Sequence, residues 1–209
     1  MAVAGLLVGA LLGSCSDDAE DGGELSSIDE PSPAEGPSTT VEEPSTTVEP
    51  DEGAITLRGD GLGVADLGDR PDDAVAAVTG ALGEPTSDSG WDPPGGAFAT
   101  CPGDRVRAVE WGGLTLLFAE GASEVGDGQH WFAWRVVGAP PAVGTSTGLG
   151  FGATAADAEE LHPGAVERVP AEPPFPPLLL IDADGGTITA FLDAADTISN
   201  LEAGAPCGE

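Results

Sequence analysis

The chain has 209 residues, with 37 acidic side chains against only six basic ones and a formal net charge of -31 at pH 7. Because affinity for nucleic acids comes largely from basic side chains that displace counterions, this composition excludes a nucleic acid as partner. It also argues against docking of a folded face on anionic lipid headgroups. With 32 Gly, 19 Pro and 5% aromatic residues, the sequence predicts one modest hydrophobic core.

Residues 1–14 have the pattern of a signal peptide. The apolar run at 4–12 is too short to cross a hydrocarbon layer of about 30 Å, but it has the length of a signal-peptide core. It ends in Leu-Gly-Ser-Cys at 12–15, which resembles the lipobox of bacterial lipoproteins. This resemblance implies that Cys15 is lipidated and that its acyl chains anchor the protein at the extracytoplasmic face of the cell membrane. The alternative is an apolar terminus with a free cysteine.

The next segment, 15–53, is predicted to be a disordered tether attached to that anchor. From 16 to 53 it has 13 acidic residues and no basic one, and Pro-Ser-Thr-Thr-Val-Glu occurs at both 37–42 and 44–49. Such a composition cannot bury enough apolar surface to offset the entropy of ordering the backbone. Because its charges repel and its prolines stiffen it, the tether should reach beyond about 35 Å, with a limit of about 125 Å.

Residues 54–209 have a globular composition and predict an α+β domain with an internal repeat. The repeats span about 59–137 and 146–207, and each begins with Gly-Leu-Gly and continues into a short helix. Pro71 and two following aspartates predict the start of the first helix, and a capping box of Thr154 and Asp157 predicts the second. Antiparallel strands follow each helix, so we expect both helices to pack on one face of a sheet. The predicted strands are 107–111, 114–119, 131–137, 177–182, 187–192 and 197–201.

This arrangement resembles the tandem α+β repeat of β-lactamase-inhibitor proteins and of lipoproteins that assist outer-membrane assembly. The lipobox, the Thr/Pro/Glu tether, the Gly-Leu-Gly motif and the closing Ala203-Gly204-x-x-Cys207 also resemble secreted actinobacterial lipoproteins of unknown function. The motifs are short and rich in glycine, and they carry no catalytic residues. The resemblance to inhibitor proteins implies one possible role, inhibition of an extracellular enzyme.

Once Cys15 is assigned to the lipid, an even pair of cysteines remains, Cys101 and Cys207. In an oxidising compartment such a pair predicts a disulfide. A metal pair and a redox couple are the alternatives, but neither cysteine lies in a Cys-x-x-Cys motif and no histidines cluster beside them.

Several short motifs resemble functional sites. Residues 144–148 match the Gly-x-Ser-x-Gly nucleophile elbow, but an Ala-Pro-Pro loop precedes them and no helix follows directly, so a linker is predicted. Residues 182–185 resemble the start of a calcium loop, but Asp193 stands where a bidentate Glu is needed, so a β-turn is predicted. The Arg-Gly-Asp at 58–60 is attributed to chance. His130 and His162 lack a partner in the sequence, and a helix-end role is predicted for His162.

We expect a non-catalytic binding or scaffolding module without cofactor or metal, whose sheet face contacts a cationic protein, a peptide or a cell-wall polymer. The exposed aromatic candidate for such a contact is Trp91. The alternative is an extracellular hydrolase that acts on a wall polymer through paired carboxylates, because such pairs leave no linear signature. The acidic residues considered for that role are Asp66, Asp69, Asp73 and Glu110.

Overall fold

The structure, a computed structural model, describes residues 55–138, 142–183, 185–205 and 207. The predicted signal peptide, Cys15 and all of the predicted tether lie outside the described residues. In chain order the described elements are β1 (Ile55–Arg58), β2 (Gly61–Leu62), β3 (Ala65–Asp66), α1 (Pro71–Leu82), β4 (Ser87–Asp88), β5 (Arg105–Trp111), β6 (Leu114–Glu120), β7 (Gln129–Val137), β8 (Val143–Thr145), α2 (Ala155–Leu161), β9 (Val166–Val169), β10 (Leu178–Ala183), β11 (Gly186–Leu192) and β12 (Ile198–Gly204). A short 3-10 helix, Gly96–Phe98, lies between β4 and β5.

Two sheets form from these strands. The larger has eight antiparallel strands in the order β4-β5-β6-β7-β12-β11-β10-β9. The smaller has the order β3-β2-β1-β8, and within it β1 and β8 are parallel. In the large sheet β7 pairs with β12, with Val136 opposite Leu201, so this contact joins the strands from the middle of the chain to those at its end.

The main hydrophobic core lies against one face of the large sheet, which we call the inner face. Side chains alternate between the two faces of a strand, so most core residues of the long strands are two positions apart. The spacing is three at Trp131 and Trp134 and at Ile198 and Leu201, where the strand pairing shifts register. The small sheet adds Ile55, Leu57 and Leu62, and the helices add only small side chains. The inner-face residues include Leu114, Leu116, Phe118, Trp131, Trp134, Val136, Leu179, Ile181, Ile188, Ala190, Leu192, Ile198 and Leu201.

The prediction of an α+β domain with two helix-plus-strand repeats, and with helices packed on one face of a sheet, is wrong. The described chain is mostly β, with two sheets and only two short helices. Except for Leu149, the largest buried side chains lie on strands, whereas α1 buries Pro71, Ala74 and Val78, and α2 buries two alanines. The two Gly-Leu-Gly segments also differ, because Gly61–Leu62 is a strand of the small sheet and 148–150 forms a turn and a coil.

The sequence signals for the helix ends are confirmed by the structure. Helix α1 begins at Pro71 and ends before Gly83, whose φ of 84° favours glycine. Helix α2 begins with the predicted capping box, in which Thr154 and Asp157 bond to each other's backbone amides. Within the described residues no helix has the length and apolar character needed to cross a bilayer.

A second, smaller core covers part of the opposite face, which we call the outer face. Here Cys101 and Cys207 form a disulfide, which joins the segment before β5 to the end of the chain. The disulfide packs with apolar side chains from β5, β6 and β7, including Val106, Leu117 and Phe132. The outer face of β5, β6 and the first half of β7 is therefore covered by the chain itself.

Candidate functional site

The outer face of the other half of the sheet, formed by β7 and β9–β12, is more accessible than the inner face. Along β10 and β11, the inner-face residues Leu179 and Ile188 are fully buried, whereas Leu180 and Phe191 on the outer face are only half-buried. Val137, at the end of β7, is 54% exposed. Because several apolar side chains of this face are accessible together, we consider it as a candidate surface for contact with another molecule.

Strand register arranges this outer face in two rows. Residues directly opposite each other on antiparallel strands have Cβ atoms about 4.5–5.5 Å apart, so each row is nearly continuous. The first row is Arg135, Glu202, Thr189, Leu180 and Glu167. The second is Val137, Asn200, Phe191, Leu178 and Val169.

An ion pair lies where β7 and β12 meet in the first row. Arg135 Nε is 3.3 Å from Glu202 Oε2, and the Glu202 side chain is only 6% exposed. Burial raises the pKa of Glu202 above its ordinary value, and the positive charge and hydrogen bond of Arg135 offset this only in part. This ion pair occupies one end of the row, and its two charges neutralise each other.

At the other end of the row is an open cavity of about 410 Å³. It is lined by Gly164, Ala165, Val166, Glu167, Leu180, Asp182 and Thr187. Asp182 lies opposite Thr187 and Glu167 lies opposite Leu180, so the two carboxylates are diagonal neighbours with Cβ atoms about 7–8 Å apart. Leu180 supplies an apolar surface between them. The cavity lining therefore combines the apolar Leu180 with two carboxylates.

The two carboxylates of this cavity differ from several other acids of the described chain in their ion pairing. In the described part of the chain, neither Glu167 nor Asp182 forms an ion pair with an arginine. Other arginines are engaged by nearby acids: Arg168 pairs with Asp196, and Arg107 donates hydrogen bonds to Asp88 that lower the pKa of that carboxyl. The cavity thus carries uncompensated negative charge.

Trp91, the aromatic candidate from the sequence, lies outside this cavity. Its side chain is half-buried and packs against the main core. Its carbonyl oxygen accepts a hydrogen bond of 2.8 Å from Arg105 Nη2, and the guanidinium lies 6.0 Å from the ring centroid. These contacts explain Trp91 as part of the packing around β5.

The acids considered for a hydrolase occupy different elements. Asp66 and Asp69 share one turn, where the Asp66 amide donates to the Asp69 carboxylate at 2.9 Å. Asp73 is exposed in the first turn of α1. Glu110, on β5, accepts a hydrogen bond of 2.8 Å from the hydroxyl of Ser87. Each of these acids is therefore explained by its own local surroundings. None of the four lines the cavity.

The histidines make local contacts. His130 is buried beside the loop between β6 and β7, where its Nε2 bonds to Ser123 Oγ and its Nδ1 to the Gly128 carbonyl at 3.1 Å. His162 ends α2 as predicted, and its Nε2 is 2.8 Å from Thr147 Oγ1.

The remaining motifs also have structural settings. Residues 146 and 147 form a turn after β8. Asp182 is a strand residue of β10. In the Arg-Gly-Asp segment Arg58 pairs with Asp60 at 2.7 Å, and a Cβ at Gly59 would overlap the backbone of Gly186. Among the residues that the structure describes, no group of three or more His, Cys, Asp or Glu is placed to hold a metal ion.

Sequence reasoning missed Glu167, Asp182 and Glu202 as members of one face. Strand β9 was not predicted, because Val166-Glu167-Arg168-Val169 is too short to show a clear alternation. The alternation of Thr187, Thr189 and Phe191 along β11 was visible, but nothing in the sequence states which strands lie beside it.

The raised pKa of Glu202 makes a testable contribution to stability. A carboxyl whose pKa rises on folding stabilises the native state below its ordinary pKa, about 4.3, and this contribution is lost as the pH rises through the folded-state pKa. Glu202→Gln removes the titration. We therefore expect the free energy of unfolding of the variant, minus that of the wild type, to increase between about pH 3.5 and pH 7.

Urea unfolding at both pH values measures this difference. Acids with a lowered pKa, such as Asp88, change stability in the opposite direction, but they are common to both proteins and cancel. Glu124→Gln, in an exposed loop, controls for the loss of one charge. A difference for Glu202→Gln that stays constant or falls with pH would contradict the assignment.

Comparison with known proteins does not identify a family for this chain. A scan against protein-family models, a search of curated proteins and a search of solved structures each found no match.

Proposed function

We propose that this protein is a lipid-anchored cell-surface protein whose folded domain is a non-catalytic binding or scaffolding module. Its binding surface is the outer face of β9–β12, and its partner is a cationic peptide or protein. The observation that carries this proposal is the cavity in which Glu167 and Asp182 flank Leu180 without a neutralising arginine.

The chemistry of the cavity fits a lysine or arginine side chain. Both have a flexible apolar stem and a charged end, and they bury the stem while the charge stays near polar groups. The stem would lie on Leu180, and the charged end would lie between the two carboxylates, where the Thr187 hydroxyl can accept a further hydrogen bond. The remaining outer face adds half-buried apolar side chains around this contact.

The strength of such a contact is limited. An exposed ion pair contributes about 0.2–1 kcal/mol, and salt screens it over a Debye length of about 8 Å at physiological ionic strength. Stable binding therefore requires several contacts across the rows, and the affinity should fall as salt rises. Because each contact is weak, such a module is suited to a partner that is itself held at the same cell surface.

The buried carboxyl with a raised pKa does not favour the hydrolase alternative. A glycosidase needs two carboxyl groups about 5–10 Å apart, one of them a protonated acid. Glu202 has the raised pKa, but the group in contact with it is Arg135. This arrangement supports a structural ion pair within the binding face.

The cationic-partner proposal predicts a site-specific loss of binding. The double variant Glu167→Gln/Asp182→Asn should weaken binding of the peptide acetyl-Lys-Val-Lys-Val-Lys-amide about three- to tenfold, because it removes two ion pairs. Fluorescence anisotropy of the labelled peptide, with the full chain in a non-ionic detergent at low and moderate salt, measures the change.

The matched control is Asp73→Asn/Glu124→Gln, which removes the same two charges from exposed positions on α1 and in the β6–β7 loop. We expect less than about half of the effect, in logarithmic units, from the control. Equal effects of the two double variants would mean that the peptide responds only to the net charge of -31. That result, or no binding at any salt, would overturn the proposal.

The anchor is tested separately. Cys15→Ser removes the thiol that would carry the diacylglyceryl group, so the variant should move from the membrane fraction to the soluble fraction of a bacterial host that processes lipoproteins. Cell fractionation followed by immunoblotting measures this. Retention of Cys15→Ser in the membrane at the wild-type level would exclude Cys15 as the anchor.

A further inference from the structure

Phe175 is the most exposed large apolar side chain in the described chain, at 65%. It lies at the tip of the hairpin between β9 and β10, in the sequence Pro173-Pro174-Phe175-Pro176-Pro177. Its amide donates a hydrogen bond of 2.8 Å to the carbonyl of Glu172, which closes the tip into a turn.

The four prolines restrict this tip. Proline fixes φ near -65° and has no N–H to donate, so the loop has few alternative conformations. A side chain on such a loop loses little conformational entropy when it binds. Exposed aromatic residues on pre-organised loops have the properties of binding hot spots.

The tip continues the outer face. Val169 and Leu178, the last pair between β9 and β10, belong to the second row, and Leu178 lies opposite Phe191. All three side chains are half-buried. Phe175 lies three residues before Leu178 in the chain, and we call the four apolar residues Val169, Phe175, Leu178 and Phe191 the apolar strip.

We propose that the outer face binds an extended peptide segment of a cationic partner, with a lysine or arginine in the cavity and a bulky apolar residue on Phe175. This inference depends on the proposed function and specifies the partner's sequence pattern. Leu180 and Phe175 are five residues apart, and a strand rises about 3.4 Å per residue, so their Cα atoms lie at most about 17 Å apart. An extended partner whose basic and apolar residues are about five positions apart matches this limit.

Charge complementarity selects this occupant over a second copy of the chain. Glu172 adjoins Phe175 at the tip, and Glu167 and Asp182 lie at the cavity, so the strip is bordered by carboxylates. A second copy would bring the same carboxylates and a net charge of -31, and its approach would be repelled. A segment with basic residues beside its apolar residue is attracted instead.

The test uses peptides of one composition and different spacing. Each is a twelve-residue Ser/Thr peptide with two lysines and one phenylalanine. In one set the phenylalanine is five positions from the nearer lysine, in either order, and in the other it is adjacent to a lysine. With the full chain in a non-ionic detergent, we expect the spaced peptide to bind at least about threefold more tightly.

Phe175→Ala should weaken the spaced peptide at least about fivefold, which corresponds to about 1 kcal/mol. The matched control is Phe151→Ala, which removes an equally large exposed ring, 42% exposed, from the coil before α2. It should change affinity less than about twofold. Because Phe175 is exposed, its variant should keep the wild-type urea midpoint.

The results with these variants distinguish this inference from the proposed function. If Glu167→Gln/Asp182→Asn weakens binding while Phe175→Ala equals Phe151→Ala, the cationic cavity stands and the role of Phe175 is overturned. If neither set of variants has an effect, both proposals are overturned. A dimer in sedimentation that dissociates on Phe175→Ala would assign the strip to a second copy and overturn the choice of partner.

Discussion

The pairing of β7 with β12 is the constraint on which the rest of this structure depends. It joins two groups of antiparallel strands into one eight-stranded sheet, so that both contribute inner-face side chains to a single core. The core includes Trp134 from β7 and Leu201 from β12. The same register places Arg135 opposite Glu202 on the outer face, where burial of the carboxyl favours its protonated form and the guanidinium favours its charged form.

The two halves of the outer face differ in how far the chain covers them. On β5–β7 the disulfide between Cys101 and Cys207 holds apolar side chains over the sheet. A disulfide that closes a loop of this length restricts the unfolded chain and stabilises the fold by about 2–5 kcal/mol. The small second core can therefore persist although it contains few large side chains. On β9–β12 the outer face stays half-exposed and includes an anionic cavity.

The proposed binding function depends on the part of the sheet surface that the fold leaves accessible. The inner face is fully occupied by the core, and one half of the outer face is closed by the disulfide. The remaining half carries Glu167, Asp182 and Leu180 in one cavity, and Phe175 extends from its edge. The excess of acidic residues over the whole chain opposes the approach of a second copy, and Glu167 and Asp182 place part of this negative charge at one cavity.

Local signals in the sequence predicted much of the detail and little of the architecture. Helix starts, the capping box and the longer strands depend on neighbouring residues, so Pro71 and Thr154 could be interpreted correctly. The small sheet could not be predicted, because β2 and β3 have two residues each and β1 pairs with β8 from a distant part of the chain. Similar Gly-Leu-Gly segments suggested a repeat, although tertiary contacts place them in different structures. The candidate site depends on which strands are neighbours, and side-chain pattern alone does not determine that order.

Hydrogen exchange of the full chain, with and without a saturating lysine-bearing peptide, tests the central claim most directly, because it locates binding along the backbone without a mutation. The account predicts slower exchange at amides of β9, β10 and β11, including those of Glu167 and Asp182, and no change in β5 and β6. Protection concentrated in β5 and β6, or spread evenly over the acidic surface, would contradict it.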